Sequence, residues 1–121
     1  MKIISSHVLD ALNGTDAANI QVTCHRLQLD GGRIMVSNMR ADASGRISIA
    51  VDVSSDDSAV RYELAFSCAD YFATQPAVSV PRSPISDAVF RLDLTDVAER
   101  LHVPIIISPH GHSTWWSQAK R

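Results

Sequence analysis

The sequence predicts an all-β domain of about eight short strands and one short helix, arranged as a sandwich or a barrel. Short apolar segments recur along the 121 residues and are separated by clusters of turn-forming residues. Several segments alternate apolar and polar side chains, which is typical of strands with one buried face. The length indicates one domain over residues 1–121, because single domains commonly contain about 100–150 residues.

Composition excludes several classes of protein. Hydrophobic residues make up 45% and charged residues 20% of the chain, which favours a globular domain. The formal net charge is −2 and no basic stripe is present, so no nucleic-acid partner is expected. No apolar run is long enough for a membrane span or a secretory signal, and we therefore expect a cytoplasmic protein without a membrane partner. Cys24 and Cys68 form no Cys-x-x-Cys pair, which fits a reducing compartment.

The first half of the chain contains five predicted strands. Residues 3–9 form the first, which ends in a turn-rich loop at residues 10–16. Ile20, Val22 and Cys24 alternate with polar neighbours in the second, so Cys24 is interpreted as a small buried side chain. The pattern then predicts a hairpin turn at residues 30–32, strands over 33–40 and 46–53, a polar loop at 54–58 and a strand over 60–66.

The second half contains the predicted helix and three further strands. Residues 67–74 are expected to form a turn or two of helix with Ser67 as the N-cap. Prolines keep the next stretch out of regular central strands, at positions Pro76, Pro81 and Pro84. The last predicted strands cover residues 88–94, 102–108 and 112–117. Residues 96–101 have some helical character, but the segment is too short to predict a helix.

Four sequence blocks resemble the transthyretin-like family, specifically its 5-hydroxyisourate hydrolase branch. Residues 7–10 read His-Val-Leu-Asp, and residues 102–109 read His-Val-Pro-Ile-Ile-Ile-Ser-Pro. Between them stand Tyr-Glu-Leu-Ala-Phe at residues 62–66 and Gly-Arg at residues 45–46. This Gly-Arg follows Asp42 later than in the family's usual Asp-Gly-Arg. The blocks occur in family order and cover nearly the whole chain.

The resemblance implies a fold, an assembly and a set of catalytic residues. It implies a sandwich of two four-stranded sheets, and a homotetramer in which two dimers meet around a channel with the active sites at their interface. It places His7, Arg46 and His102 in the positions of the catalytic groups and implies no cofactor. A histidine can remove a proton from water, and an arginine can bind a carbonyl oxygen through its planar donors. Which histidine is the base is left open.

The C-terminal segment departs from the family pattern. The hydrolases end in Tyr-Arg-Gly-Ser, and the corresponding positions here hold Trp115, Trp116, Ser117 and Gln118. The predicted substrate-binding residues are His112, Ser113, Trp115, Trp116, Ser117 and Gln118. The two tryptophans either pack in the core or an interface, or they form a stacking platform for a flat substrate.

His110 and His112 raise the question of a metal site. Histidines at positions i and i+2 of a strand point the same way and could share Zn²⁺ or Cu²⁺. Two ligands rarely hold a metal, so we expect solvent-facing or cleft-lining histidines and no metal.

Three functions are therefore compatible with the sequence. The first is a hydrolase that opens a cyclic amide of 5-hydroxyisourate or a close relative, with a small heterocycle as its substrate. The second keeps the same three catalytic groups but acts on another heterocycle in a specialised biosynthetic pathway. The third is a non-catalytic protein that binds a planar ligand.

Overall fold

The computed structural model describes residues 1–75 and 83–119, which form two packed β-sheets and one short helix. In chain order the elements are β1 (Lys2–Asp10), β2 (Thr15–Asp16), β3 (Gln21–Leu27), β4 (Arg33–Arg40), β5 (Arg46–Val51), β6 (Arg61–Phe66), α1 (Cys68–Ala73), β7 (Ala88–Leu92), β8 (Arg100–His102), β9 (Ile105–Ser108), β10 (Gly111–Thr114) and β11 (Ser117–Ala119). No helix in these ranges combines the length and apolarity that a membrane crossing requires.

One sheet has the four strands expected. The other contains seven strands, most of them short. The four-stranded sheet is antiparallel in the order β4-β3-β6-β7. In the seven-stranded sheet β1 is central: β5 and β8 flank its first half, and β2 and β9 pair with its end. Pro104 has no N–H to donate and separates β8 from β9, while Trp115 and Trp116 separate β10 from β11. The predicted all-β sandwich is confirmed, but the two last predicted strands are each broken in the middle.

The core lies between the sheets and follows the predicted alternation. Val60, Tyr62, Leu64 and Phe66 are each at most 5% exposed, as expected for one face of this segment. Cys24 is fully buried, and this burial raises the pKa of its thiol to about 11. A thiol with so high a pKa is a packing group and not a nucleophile.

Local differences from the predictions occur at segment ends. Ser67 stands at the N-cap position of α1, but its side chain makes no capping hydrogen bond. Residues 96–101 form a turn, in which the Val97 N–H donates to the Leu94 carbonyl, and then the start of β8. Pro84 lies in an irregular segment, as predicted. Pro76 and Pro81 lie outside the described residues.

The turn before β5 requires glycine at position 45. Gly45 has a φ of +72°, and a Cβ there would lie 2.5 Å from the Val8 carbonyl oxygen. Gly45→Ala is therefore expected to lower the free energy of unfolding by about 2–4 kcal/mol, from the left-handed backbone and the backbone clash together. Gly31 is the control, because its φ of +89° is similar but a Cβ there would meet nothing within 4 Å. Urea denaturation should show a loss of only about 1 kcal/mol for Gly31→Ala; equal losses would contradict the clash.

Candidate active site

His7, Arg46 and His102 lie together on the outer face of the seven-stranded sheet. His7 on β1 is paired with Arg46 at the start of β5. Ser5, two residues before His7, is paired with His102 at the end of β8. Paired residues of neighbouring strands point to the same face, and so do residues two apart on one strand. The structure thus brings together three groups that are distant in sequence.

Each imidazole has one nitrogen held by a partner of different chemistry. Nδ1 of His102 lies 2.8 Å from the Ser5 hydroxyl oxygen. Nε2 of His7 lies 2.9 Å from Oδ1 of Asp16. The other nitrogen of each ring therefore remains for a substrate or a water molecule.

The surroundings of His102 favour the neutral form of its ring, which can act as a base. Partial burial lowers the pKa of His102 below its ordinary value of 6.5, and the positive charges of Arg46, Arg100 and His7 lower it further. At neutral pH the ring is therefore uncharged, and one of its nitrogens carries a lone pair.

Arg46 is anchored through its backbone and presents its guanidinium outward. The Arg46 N–H donates to Oδ1 of Asp42 at 3.0 Å, and the Ser44 N–H donates to the same oxygen. These hydrogen bonds hold the pKa of Asp42 below its usual range. Among the described residues the guanidinium of Arg46 has no ion-pair partner, so its donors are free to bind a substrate.

Two of the predicted substrate-binding residues share the face of these three groups. Ser117 on β11 is paired with His102. Ser113 on β10 is paired with Ile106, which is itself paired with Leu9 on the outward face of β1. Both hydroxyls therefore lie on the outer face of the sheet.

The other four predicted residues are not brought to this face within a protomer. His112 and Gln118 are paired with the buried Ile107 and Leu101, so they point toward the other sheet. The rings of His112 and Phe90 meet edge to face, 5.7 Å apart. Within one protomer the predicted substrate-binding residues are therefore divided between two faces, because side chains alternate along a strand, and their role in binding stays a prediction.

Trp115 and Trp116 lie at the edge of the sandwich. They are 47% and 66% exposed. Together with Gln118 they line a groove of about 360 Å³ whose floor includes Leu101 and Val103. The groove opens between the sheets and not on the face of His7, Arg46 and His102.

His110 and His112 line a separate cavity of about 310 Å³, beside Cys68 and Asp87. Within residues 1–75 and 83–119, no three histidine, cysteine or acidic side chains are grouped closely enough to hold a metal ion.

The sequence analysis missed two residues of the site, Ser5 and Asp16. Ser5 could have been found from its position two residues before His7 on a predicted strand. Asp16 lies in the segment predicted as a loop, and nothing local indicates that this segment pairs with the end of β1.

The two-sheet sandwich has the transthyretin-like fold, and the outer face of one sheet carries two histidines and an arginine. The model of the HIUase/Transthyretin family matches residues 4–116, which is nearly the whole sequence. The chain belongs to this family, and the predicted resemblance is confirmed.

Relatives of known annotation or structure agree with this membership. A 5-hydroxyisourate hydrolase of Mesorhizobium japonicum is 33% identical over 114 residues, covering 93% of this chain and 89% of the relative. The structure of Klebsiella pneumoniae 5-hydroxyisourate hydrolase is similar with a TM-score of 0.75 at 25% identity, over 98% of this chain and 100% of that one. Transthyretin from Sparus aurata shares the fold, with a TM-score of 0.72 at 20% identity over 97% of each chain.

Proposed function

We propose that this protein is a hydrolase that opens a cyclic amide of 5-hydroxyisourate or a close relative, with His7, Arg46 and His102 as its catalytic groups. The observation that carries the proposal is the placement of these three groups side by side on one exposed sheet face. The curated relatives named 5-hydroxyisourate hydrolase support the choice of substrate. No cofactor is required, because water is the only co-reactant.

His102 acts as the general base in this mechanism. Nδ1 of His102 is hydrogen-bonded to the Ser5 hydroxyl, and in the tautomer whose proton is on Nδ1 the lone pair of Nε2 removes a proton from water. The water oxygen bonds to the ring carbonyl carbon, and the C–N bond of the cyclic amide then breaks. One water molecule is consumed, the carbonyl becomes a carboxyl group, and the proton ends on the leaving nitrogen.

Arg46 and His7 act on the other atoms of the substrate. The guanidinium of Arg46 donates to the carbonyl oxygen as negative charge develops there, which stabilises the transition state. His7 takes up the proton that His102 has removed from water and passes it to the leaving nitrogen. The hydroxyls of Ser113 and Ser117 bind polar atoms of the heterocycle.

Assembly as a homotetramer, a dimer of dimers, is part of the proposal. In this assembly His112, Trp115, Trp116 and Gln118 of one protomer reach the active site of a neighbouring protomer at the dimer–dimer interface. The two neighbouring exposed tryptophans favour a subunit contact, because such apolar patches commonly mark interfaces.

We further propose a single domain over residues 1–121, a role in purine metabolism and a cytoplasmic location. The free thiols of Cys24 and Cys68 are suited to that location.

A second candidate function is hydrolysis of a different heterocycle by the same three groups. It is favoured by Ser117, whose position beside His102 corresponds to the glycine of the usual Tyr-Arg-Gly-Ser segment. A hydroxymethyl group in place of hydrogen makes this part of the site smaller and adds a hydrogen-bonding group.

The direct test generates 5-hydroxyisourate from urate with urate oxidase and follows its ultraviolet decay. We expect Arg46→Ala to lower kcat/KM by about 10²–10³-fold, as for the loss of a donor to a developing oxyanion. Arg46→Lys should recover only part of the rate, because it keeps the charge but not the planar fork. Arg33→Ala is the matched control, since Arg33 lies on the other sheet and is ion-paired with Glu63.

The outcomes separate the candidate functions. Unchanged kcat/KM in Arg46→Ala would contradict the catalytic role of this residue. If the wild-type protein leaves 5-hydroxyisourate decay unchanged but opens another cyclic amide, the second candidate is favoured. If it opens none and a planar ligand raises its Tm, the protein is a binder.

A further inference from the structure

The carboxylate of Asp16 lies at hydrogen-bonding distance from one of the two proposed catalytic histidines. Oδ1 of Asp16 is 2.9 Å from Nε2 of His7. We infer that Asp16 is a positioning residue that holds the His7 ring and leaves Nδ1 as its proton-transferring nitrogen. This inference rests on the proposed function, because it concerns the role of His7 in the same site.

The backbone of Asp16 is fixed by its neighbours. Asp16 lies in β2, where it is paired with Leu9 of β1, and the following Ala17 N–H donates to the Val8 carbonyl at 2.9 Å. Gly45 comes so close that a Cβ on it would lie 3.5 Å from the Cβ of Asp16. Asp16 therefore lies between the strand that carries His7 and the turn that leads to Arg46.

The two histidines are held in opposite ways. His102 is bound at Nδ1 by a neutral hydroxyl, whereas His7 is bound at Nε2 by a carboxylate. A carboxylate only accepts hydrogen bonds, so it selects the tautomer of His7 in which Nε2 carries the proton. A hydroxyl can donate or accept and imposes no such choice. In the neutral ring the tautomer of His7 is thus determined by Asp16, which places the lone pair on Nδ1.

The contact between His7 and Asp16 is expected to contribute little to stability. The side chains of His7 and Asp16 are 22% and 43% exposed. Pairs this exposed contribute little to stability, because solvent screens them. An orienting carboxylate can nevertheless matter for the rate, since it fixes both the tautomer and the ring position.

The test compares Asp16→Ala and Asp16→Asn with the wild type in the urate-coupled assay. We expect Asp16→Ala to lower kcat by about 10–100-fold with KM changed less than about threefold. Asp16→Asn should regain much of kcat, because its amide oxygen can accept the same hydrogen bond from Nε2–H of His7. Asp52→Ala is the control: Asp52 is an exposed turn aspartate that caps the Ser54 N–H, beyond the end of β5 opposite to Arg46.

Nitrogen NMR of His7 shows which ring nitrogen carries the proton, and a purely structural role of Asp16 would leave this tautomer unchanged. The wild type should show the tautomer with the proton on Nε2, and Asp16→Ala should show a mixture. A wild-type His7 protonated on Nδ1 alone would overturn the inference, even if Asp16→Ala fails to fold.

His7→Ala distinguishes the failure of this inference from the failure of the proposed function. If His7→Ala is inactive while Asp16→Ala keeps wild-type kcat, the positioning role is wrong and the catalytic histidine stands. If His7→Ala is fully active, the proposed catalytic role of His7 is wrong and the role of Asp16 falls with it.

Discussion

Replacing His102 by alanine is expected to lower kcat for cyclic amide hydrolysis by about 10²–10⁴-fold, the usual contribution of a general base. The reason is that His102, beside Ser5 and Ser117, supplies the lone pair that removes the proton from water. The urate-coupled assay measures the effect. His25→Ala is the control, because His25 lies on β3 of the opposite sheet. A loss of less than about threefold in His102→Ala would assign the base to another group.

The pH dependence of the wild type tests the same role. The pKa of His102 lies below 6.5, so the neutral, active form predominates at pH 7. The acid limb of kcat/KM should therefore be centred below pH 6.5, where His102 gains a proton and loses its activity as a base. An acid limb of kcat/KM centred above pH 6.5 would contradict this assignment.

The largest expected loss of stability is that of Asp10→Ala, about 3–5 kcal/mol. Asp10 is 2% exposed and ends β1. Its carboxylate accepts hydrogen bonds from the Leu12 and Asn13 N–H groups at 2.9 Å, and from the Asn13 amide and the Tyr71 hydroxyl at 2.7 Å. Alanine would leave the hydroxyl of Tyr71 buried without this acceptor. Urea denaturation measures the loss.

Asp57→Ala is the matched control for Asp10→Ala. The Asp57 carboxylate accepts the Ala59 N–H in an exposed turn, so its removal should cost less than about 1 kcal/mol. If both variants lose the same stability, the buried hydrogen bonds of Asp10 are not the cause.

Asp10 also predicts how stability depends on pH. Burial by itself raises the pKa of Asp10, but the hydrogen bonds from Asn13, Tyr71 and Leu12 outweigh it and hold the pKa below 3.8. The folded-state pKa is thus lower than the unfolded one. The contribution of Asp10 is therefore present above about pH 4 and is lost as the pH falls through the folded-state pKa. Asp10→Ala should lose this part of the acid sensitivity.

Sequence alone was sufficient for most strands, because their signal is local. The alternation of Tyr62, Leu64 and Phe66 with polar neighbours depends only on the period of a strand, and β6 is found where it predicts. The burial of Cys24 follows in the same way. Short blocks that resemble a family also point to His7, Arg46 and His102 as candidate catalytic residues. What the blocks did not indicate was which face of which sheet each residue occupies.

The tertiary structure decided the composition of the site. Ser117 lies beside His102, and Gln118, one residue later, lies on the opposite face, because β11 pairs with β8 in one particular register. Asp16 meets His7 only because β2 folds back along β1. Such pairings depend on hydrogen bonds between segments far apart in the chain, and a shift of one residue would exchange the two faces. The sequence therefore determined the strands and the candidate chemistry, and long-range register decided which side chains share the site.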